Sequence, residues 1–91
     1  MPGNLADLAL DREQWAEVEE WAREALPLAE GVGRLELIAS NCHRIAMACA
    51  RQGRQAEGLP YAQRAVAIYT KLRMSENLAV AQEVLKECEE A

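Results

Sequence analysis

Apolar residues recur at intervals of three and four along most of the chain, which is the spacing of one face of an α-helix. Interruptions near Asp11, at Gly31–Gly33, at Gly53 and at Arg73–Ser75 divide this pattern into segments. No segment alternates with the period of two that a half-buried strand shows. The pattern therefore predicts an all-α chain of five helices, spanning 4–10, 13–30, 34–52, 55–72 and 75–89.

Local signals support several of these helix ends. Gly31 and Gly53 are suited to the left-handed conformation that ends many helices, and Ser75 is a plausible N-cap for the last helix. Pro27 lies inside the second predicted helix, where its missing backbone donor predicts a kink or an early end. Pro60 lies near the start of the fourth, where a proline costs less.

The sequence repeats weakly with a period of forty residues. Seven identities align at this shift, among them Ala22 with Ala62 and Ala25 with Ala65. The breaks repeat as well, because Gly33 aligns with Arg73. A helix–turn–helix unit of this length is typical of α-solenoid repeats.

Residues 45–69 resemble a tetratricopeptide repeat. The positions that match the family pattern are its Leu-Gly pair (Ile45-Ala46), its turn glycine (Gly53) and two small residues of its second helix (Gly58 and Ala65). The period is longer than the usual one of about 34 residues, as in the tetratricopeptide arrays of large bacterial regulators. The resemblance implies antiparallel helical hairpins stacked as a short right-handed α-solenoid.

On this interpretation residues 1–91 are a single domain. It consists of a first helical pair (4–30), a second pair (34–72) and a lone fifth helix (75–89). We expect six residues to be buried between paired helices: Ile45, Ala46, Cys49, Ala62, Ala65 and Val66.

Composition agrees with helix and narrows the classes of function. The chain has 17 Ala and 11 Leu but only nine Val, Ile and Thr together, a balance that favours helix over sheet. Its net charge of −5 argues against nucleic-acid binding. No uncharged run approaches the roughly 20 residues of a membrane-spanning helix. The three cysteines lack the spacing of a disulfide framework, and the sequence does not open with a signal peptide. Both observations predict a cytoplasmic protein.

The sequence offers little support for catalysis or metal binding. Cys42 and Cys49 lie seven residues apart on the apolar face of one predicted helix, where a cysteine acts as a small hydrophobic residue. A zinc site needs about four ligands, and His43 is the only histidine. No phosphate-binding loop or hydrolase motif is present. We therefore expect no metal, no cofactor and no enzymatic activity.

The opposite face of the same helix is the candidate partner site. The resemblance implies that the first helix of each pair lines a concave groove, and we expect this groove to bind a protein or peptide. The candidate residues are Ser40, His43, Arg44, Met47 and Arg51. The middle block 32–74 has a net charge of +5, which suits an acidic partner. The alternative is an ordinary solvated helix face.

The fifth helix and the two tryptophans raise further questions. This helix lacks a partner in the predicted arrangement, so its apolar stripe predicts association between copies through Leu78, Ala81, Val84, Leu85 and Cys88. The alternative function is thus a structural or self-assembling segment of a longer repeat array that couples neighbouring domains. Trp15 and Trp21 lie six residues apart, so we expect one to pack inward, and an exposed one would mark a contact surface.

Overall fold

A computed structural model describes the backbone of residues 7–90 and the side chains of residues 14–90. Over this range the chain forms α-helices and no strand, which confirms the all-α class. The helices are α1 (Asp7–Val32), α2 (Leu35–Arg51), α3 (Gln55–Leu72) and α4 (Ser75–Glu89). Turns of two or three residues join them, so consecutive helices run antiparallel. None of these helices has an apolar stretch sufficient to cross a membrane.

The prediction of two helices before Gly33 is wrong, because one helix of 26 residues occupies that region. A single aspartate such as Asp11 costs well under about 1 kcal/mol in a helix, too little to end one. Pro27 lies within α1 without ending it. Its side chain is exposed, so it lies on the outer face of α1, where water can serve the carbonyl that a proline leaves unbonded. Predicted residues 4–6 lie outside the described range.

The central helix of the molecule is α2, which packs against α1, α3 and α4. In addition α3 packs against α4, whereas α1 packs closely against α2 alone. Five of the six predicted core residues are buried, and Val66 is half-buried. Most of the buried positions are small, which allows the helices to lie close together.

The forty-residue repeat is visible in the helices themselves. Helices α1 and α3 end forty residues apart, at Val32 and Leu72, and α2 and α4 begin forty residues apart, at Leu35 and Ser75. Gly33 and Arg73, at the start of the two turns, are both left-handed, with φ of 72° and 59°.

The hydrogen bonds of these two turns also correspond. The amide of Arg34 donates to the carbonyl of Ala29 at 3.3 Å, and the amide of Met74 donates to the carbonyl of Tyr69 at 3.1 Å. The turn between α2 and α3 has the same bond, from the amide of Arg54 to the carbonyl of Cys49 at 2.8 Å, so one motif closes the C-terminus of α1, α2 and α3. The forty-residue spacing of the helix ends therefore identifies the pair α1–α2 as the counterpart of the pair α3–α4.

A glycine sets the distance between α2 and α3. A Cβ atom at Gly58 would lie 2.9 Å from the carbonyl oxygen of Ala46 and 3.1 Å from Cβ of Cys49. Real Cβ atoms do not approach a backbone oxygen this closely, so any larger residue would push the two helices apart.

Candidate functional site

The five predicted concave-face residues do not form one open surface. Ser40, His43 and Met47 are half-buried, and Met47 packs with Val84 and Cys88 of α4. Arg51 is exposed and pairs with Glu87 of α4 at 3.5 Å.

Arg44 is also exposed, but it lies on the side of α2 that faces α1. Of the five candidates it is therefore the one that borders an open groove with α1, described below.

His43 lines a small hollow between α2 and α4 together with Tyr69, Glu76, Asn77 and Val80. Its Nδ1 atom is buried and has no hydrogen-bond partner in the part of the chain that the structure describes. Burial lowers the pKa of His43, and the nearby Arg44 lowers it further. Both effects keep the imidazole neutral near pH 7.

The stripe predicted to mediate self-association is covered within a single chain. Ala81, Val84 and Cys88 are buried, and Leu78 and Leu85 are half-buried against the same core. The premise that this helix lacks a partner is wrong, because α4 packs against both α2 and α3. The resemblance placed α4 as an unpaired helix, but each flanking helix buries part of its stripe.

The exposed apolar surface lies at the other end of the molecule. Of six large hydrophobic residues exposed between residues 14 and 90, five lie on α1, α2 or the turn between them. Trp21 is 70% exposed, Leu28 73% and Val32 67%; Leu35 and Leu37 are less exposed. Single exposed hydrophobic residues are ordinary, but a contiguous group of them marks a contact surface.

Four of these side chains, those of Trp21, Leu28, Val32 and Leu37, border an open groove between α1 and α2. It consists of two adjoining hollows of about 250 and 400 Å³ that share Ala25, Asn41 and Arg44. We call it the α1–α2 groove; its residues are Val18, Trp21, Ala22, Ala25, Leu28, Ala29, Val32, Leu37, Asn41 and Arg44. Small residues form its floor and large ones its edges.

Charge is distributed unequally across the α1–α2 groove. Arg44 lies on its α2 side and forms no ion pair with any of residues 14–90. Glu17 and Glu24 are exposed on α1, four residues before and three residues after Trp21, so they share the face of that side chain. A partner therefore meets an apolar floor with a positive charge on one edge and negative charges on the other.

A polar cluster on the far side of α1 holds this helix in place. Glu19 is buried and accepts hydrogen bonds from Arg23 at 2.8 Å, from Gln52 at 3.0 Å and from Arg54. Burial raises the pKa of Glu19, but these three bonds outweigh it and leave the pKa at about 2.

The same cluster reaches α3 through Arg23. Arg23 donates to the hydroxyl of Tyr61 at 3.0 Å and lies over its ring. The cluster therefore connects α1 to the α2–α3 hairpin and fixes one wall of the α1–α2 groove.

The three cysteines are buried parts of the core. Cys42, Cys49 and Cys88 are all free thiols, and burial raises the pKa of each. Within the described range no three histidine, cysteine or acidic side chains are placed to hold a metal ion. These thiols are therefore packing residues with little thiolate character.

Comparisons with protein-family models, with curated proteins and with solved structures find no match for this chain. The tetratricopeptide resemblance consequently remains a prediction from the sequence.

Sequence reasoning missed most of the α1–α2 groove. The apolar positions at helical spacing in residues 13–30 are Trp15, Val18, Ala22, Ala25, Leu26 and Ala29, and the structure places Val18 and the three alanines at the floor. Trp21, Leu28 and Val32 lie beside these positions. The sequence does indicate these exposed residues, because α1 has more apolar positions than one neighbouring helix can cover. Trp21 is the exposed tryptophan, and Trp15 is half-buried.

Proposed function

We propose that this chain is a non-catalytic protein–protein interaction module whose concave helical side binds a partner protein or peptide through the α1–α2 groove. The observation that supports this most directly is the concentration of exposed Trp21, Leu28 and Val32 at one groove. Aromatic and aliphatic side chains around a pocket of small residues are what interface centres require.

The fold that fits this function is a short right-handed α-solenoid of tetratricopeptide type. It is supported by the correspondence between the pairs α1–α2 and α3–α4, whose helix boundaries at the connecting turns lie forty residues apart. Arg44, predicted from the sequence to face a partner, borders the groove and agrees with a partner that has an acidic group.

Panning a display library of random peptides against the immobilised protein tests this function. We expect selected peptides to lose binding to the Leu28→Glu variant, because this change places a charge at the edge of the apolar groove. Leu28 is exposed, so its replacement leaves the core intact. Val80→Glu is the matched control, since Val80 is also an exposed hydrophobic residue but lies on α4. Peptides that bind both variants equally well would show that the groove is not the contact surface.

A structural or self-assembling role is the second candidate. The same exposed apolar groove favours it, because docking of a neighbouring domain or another copy would also cover these side chains. Light scattering over a dilution series separates the two candidates. Self-assembly through the groove predicts concentration-dependent mass that Leu28→Glu abolishes and Val80→Glu does not.

A further inference from the structure

The internal repeat allows the open groove to be compared with a covered surface of the same molecule. Three residues of the α1–α2 groove, Val18, Ala25 and Arg44, are half-buried or exposed, whereas their counterparts forty positions later, Gly58, Ala65 and Val84, are buried. Ala22, Ala29 and Asn41 are buried, as are their counterparts. The second pair of helices therefore has an equivalent surface whose central positions are covered.

The element that covers this surface, which we call the filled groove, is α2. This helix packs against both α3 and α4, and the carbonyl of Ala46 approaches Gly58 closely. At the other side of the filled groove, Ala46 lies in one cluster with Val84 and Cys88. No helix within residues 7–90 packs in this way across α1 and α2 on the groove side.

We propose that the partner element bound in the α1–α2 groove is a single amphipathic α-helix of another protein, which lies on α1 and α2 as α2 lies on α3 and α4. This inference rests on the proposed function and specifies the partner. The bound helix runs antiparallel to α1, because α2 runs antiparallel to α3. Its contact residues follow the helical spacing of three and four.

Differences between the two grooves define the chemistry of this helix. Arg44 stands where the filled groove has Val84, so the bound helix has an acidic side chain at that point. Val18 stands where the filled groove has Gly58. Its branched side chain holds the bound helix farther from α1 than α2 lies from α3, and only a small residue of that helix, Ala or Gly, fits opposite Val18.

A second copy of the chain is a poorer occupant. The apolar stripes of α2, α3 and α4 are already buried within one chain, so none of these helices is free to fill the groove of another. Their outer faces are largely polar and do not match an apolar floor.

Two peptide libraries test this inference directly. Both use 17 residues, the length of α2. The first library has an alanine-rich helical sequence in which the positions of one helix face and its edges are randomised. The second library has the same randomised positions and two central prolines that prevent helix formation. We expect binders from the first library alone, with Asp or Glu recurring at one edge, and helicity that rises on binding, measured by circular dichroism.

Protein variants locate the bound peptide. Leu28→Glu abolishes binding, and Val80→Glu leaves it unchanged. Arg44→Glu weakens binding by about fivefold, the effect of one exposed ion pair, and changing the recurring peptide acid to Lys restores it.

The other outcomes overturn the inference in different ways. Binders from the proline library that depend on Leu28 show an extended partner, so the helix is wrong while the proposed function stands. A molecular mass that rises with concentration to that of a dimer, and stays at that of a monomer in Leu28→Glu, shows that a second copy fills the groove. Binders that ignore Leu28, or no binders in any library, count against the proposed function as well.

Discussion

Glu19 makes the stability of the fold depend on pH. Its pKa of about 2 in the folded chain lies below the ordinary value of 4.5, so the carboxylate stabilises the fold fully above about pH 4.5. This contribution is lost as the pH falls toward 2, because protonation removes the charge to which Arg23, Gln52 and Arg54 donate.

We therefore expect Glu19→Gln to lower the free energy of unfolding by ~2–3 kcal/mol at pH 7 and by much less near pH 2. Urea unfolding at several pH values measures this difference. Glu24→Gln is the matched control, since Glu24 is exposed on the same helix. An equal loss at both ends of the pH range would show that the charge of Glu19 contributes nothing.

Gly58 and Gly31 provide a matched pair of helical glycines. At Gly58 an added Cβ collides with α2, whereas nothing lies within 4 Å of a Cβ at Gly31. We expect Gly58→Ala to destabilise by ~1–3 kcal/mol through overpacking, and Gly31→Ala to stabilise by up to ~1 kcal/mol through helix propensity. Thermal unfolding of the two variants measures both effects, and the same sign for both would contradict this account of helix spacing.

At the scale of helices and turns, the two equivalent turns adopt the same left-handed conformation with different residues. The left-handed position holds Gly33 in one turn and Arg73 in the other. Because a side chain is strained there, we expect Arg73→Gly to stabilise the fold by ~0.5–1 kcal/mol and Gly33→Ala to destabilise it by ~1 kcal/mol. Chemical denaturation measures both changes. A loss of stability on Arg73→Gly would mean that the Arg73 side chain makes contacts that outweigh the strain.

The covered stripe of α4 changes what a substitution there should do. Val84 is 3% exposed and Val80, on the same helix, is 48% exposed. We expect Val84→Glu to cost more than about 3 kcal/mol and to broaden or abolish cooperative unfolding, because it buries a charge in an apolar cluster. Val80→Glu should change stability by less than about 0.5 kcal/mol. Equal melting temperatures for the two variants would show that α4 is not docked in solution.

At the scale of the whole molecule, the three buried thiols react only when the fold opens, so their reaction rates report how easily each region opens. Cys42 and Cys49 lie in the centre, and Cys88 lies in the last turn of the terminal helix. We expect all three to react slowly with a disulfide reagent in the native state, with Cys88 first, because terminal helices open at lower free energy. Mass spectrometry of quenched samples gives the order, and complete reaction in denaturant is the control. Fast modification of Cys42 would contradict the packed core.

The sequence predicted the last three helices almost to the residue, because each is bounded by a glycine or by the polar Arg73–Ser75 turn. It failed at Asp11, where a residue of low helix propensity competes with a continuous helical pattern and the pattern alone does not show which prevails. It also placed the exposed stripe on α4 instead of α1. Both stripes are apolar, and only the packing of α4 onto α2 and α3 decides which is covered.

The helices differ in how closely their neighbours enclose them. Helix α1 packs closely against α2 and reaches α3 through side chains such as Arg23, whereas α2 is enclosed by three helices and is better protected from amide hydrogen exchange. Exchange should therefore be fastest in α1 and slowest in α2. Anything that binds across α1 and α2 gives α1 a second closely packed neighbour, so slower exchange in α1 would report the bound state without any change of backbone shape.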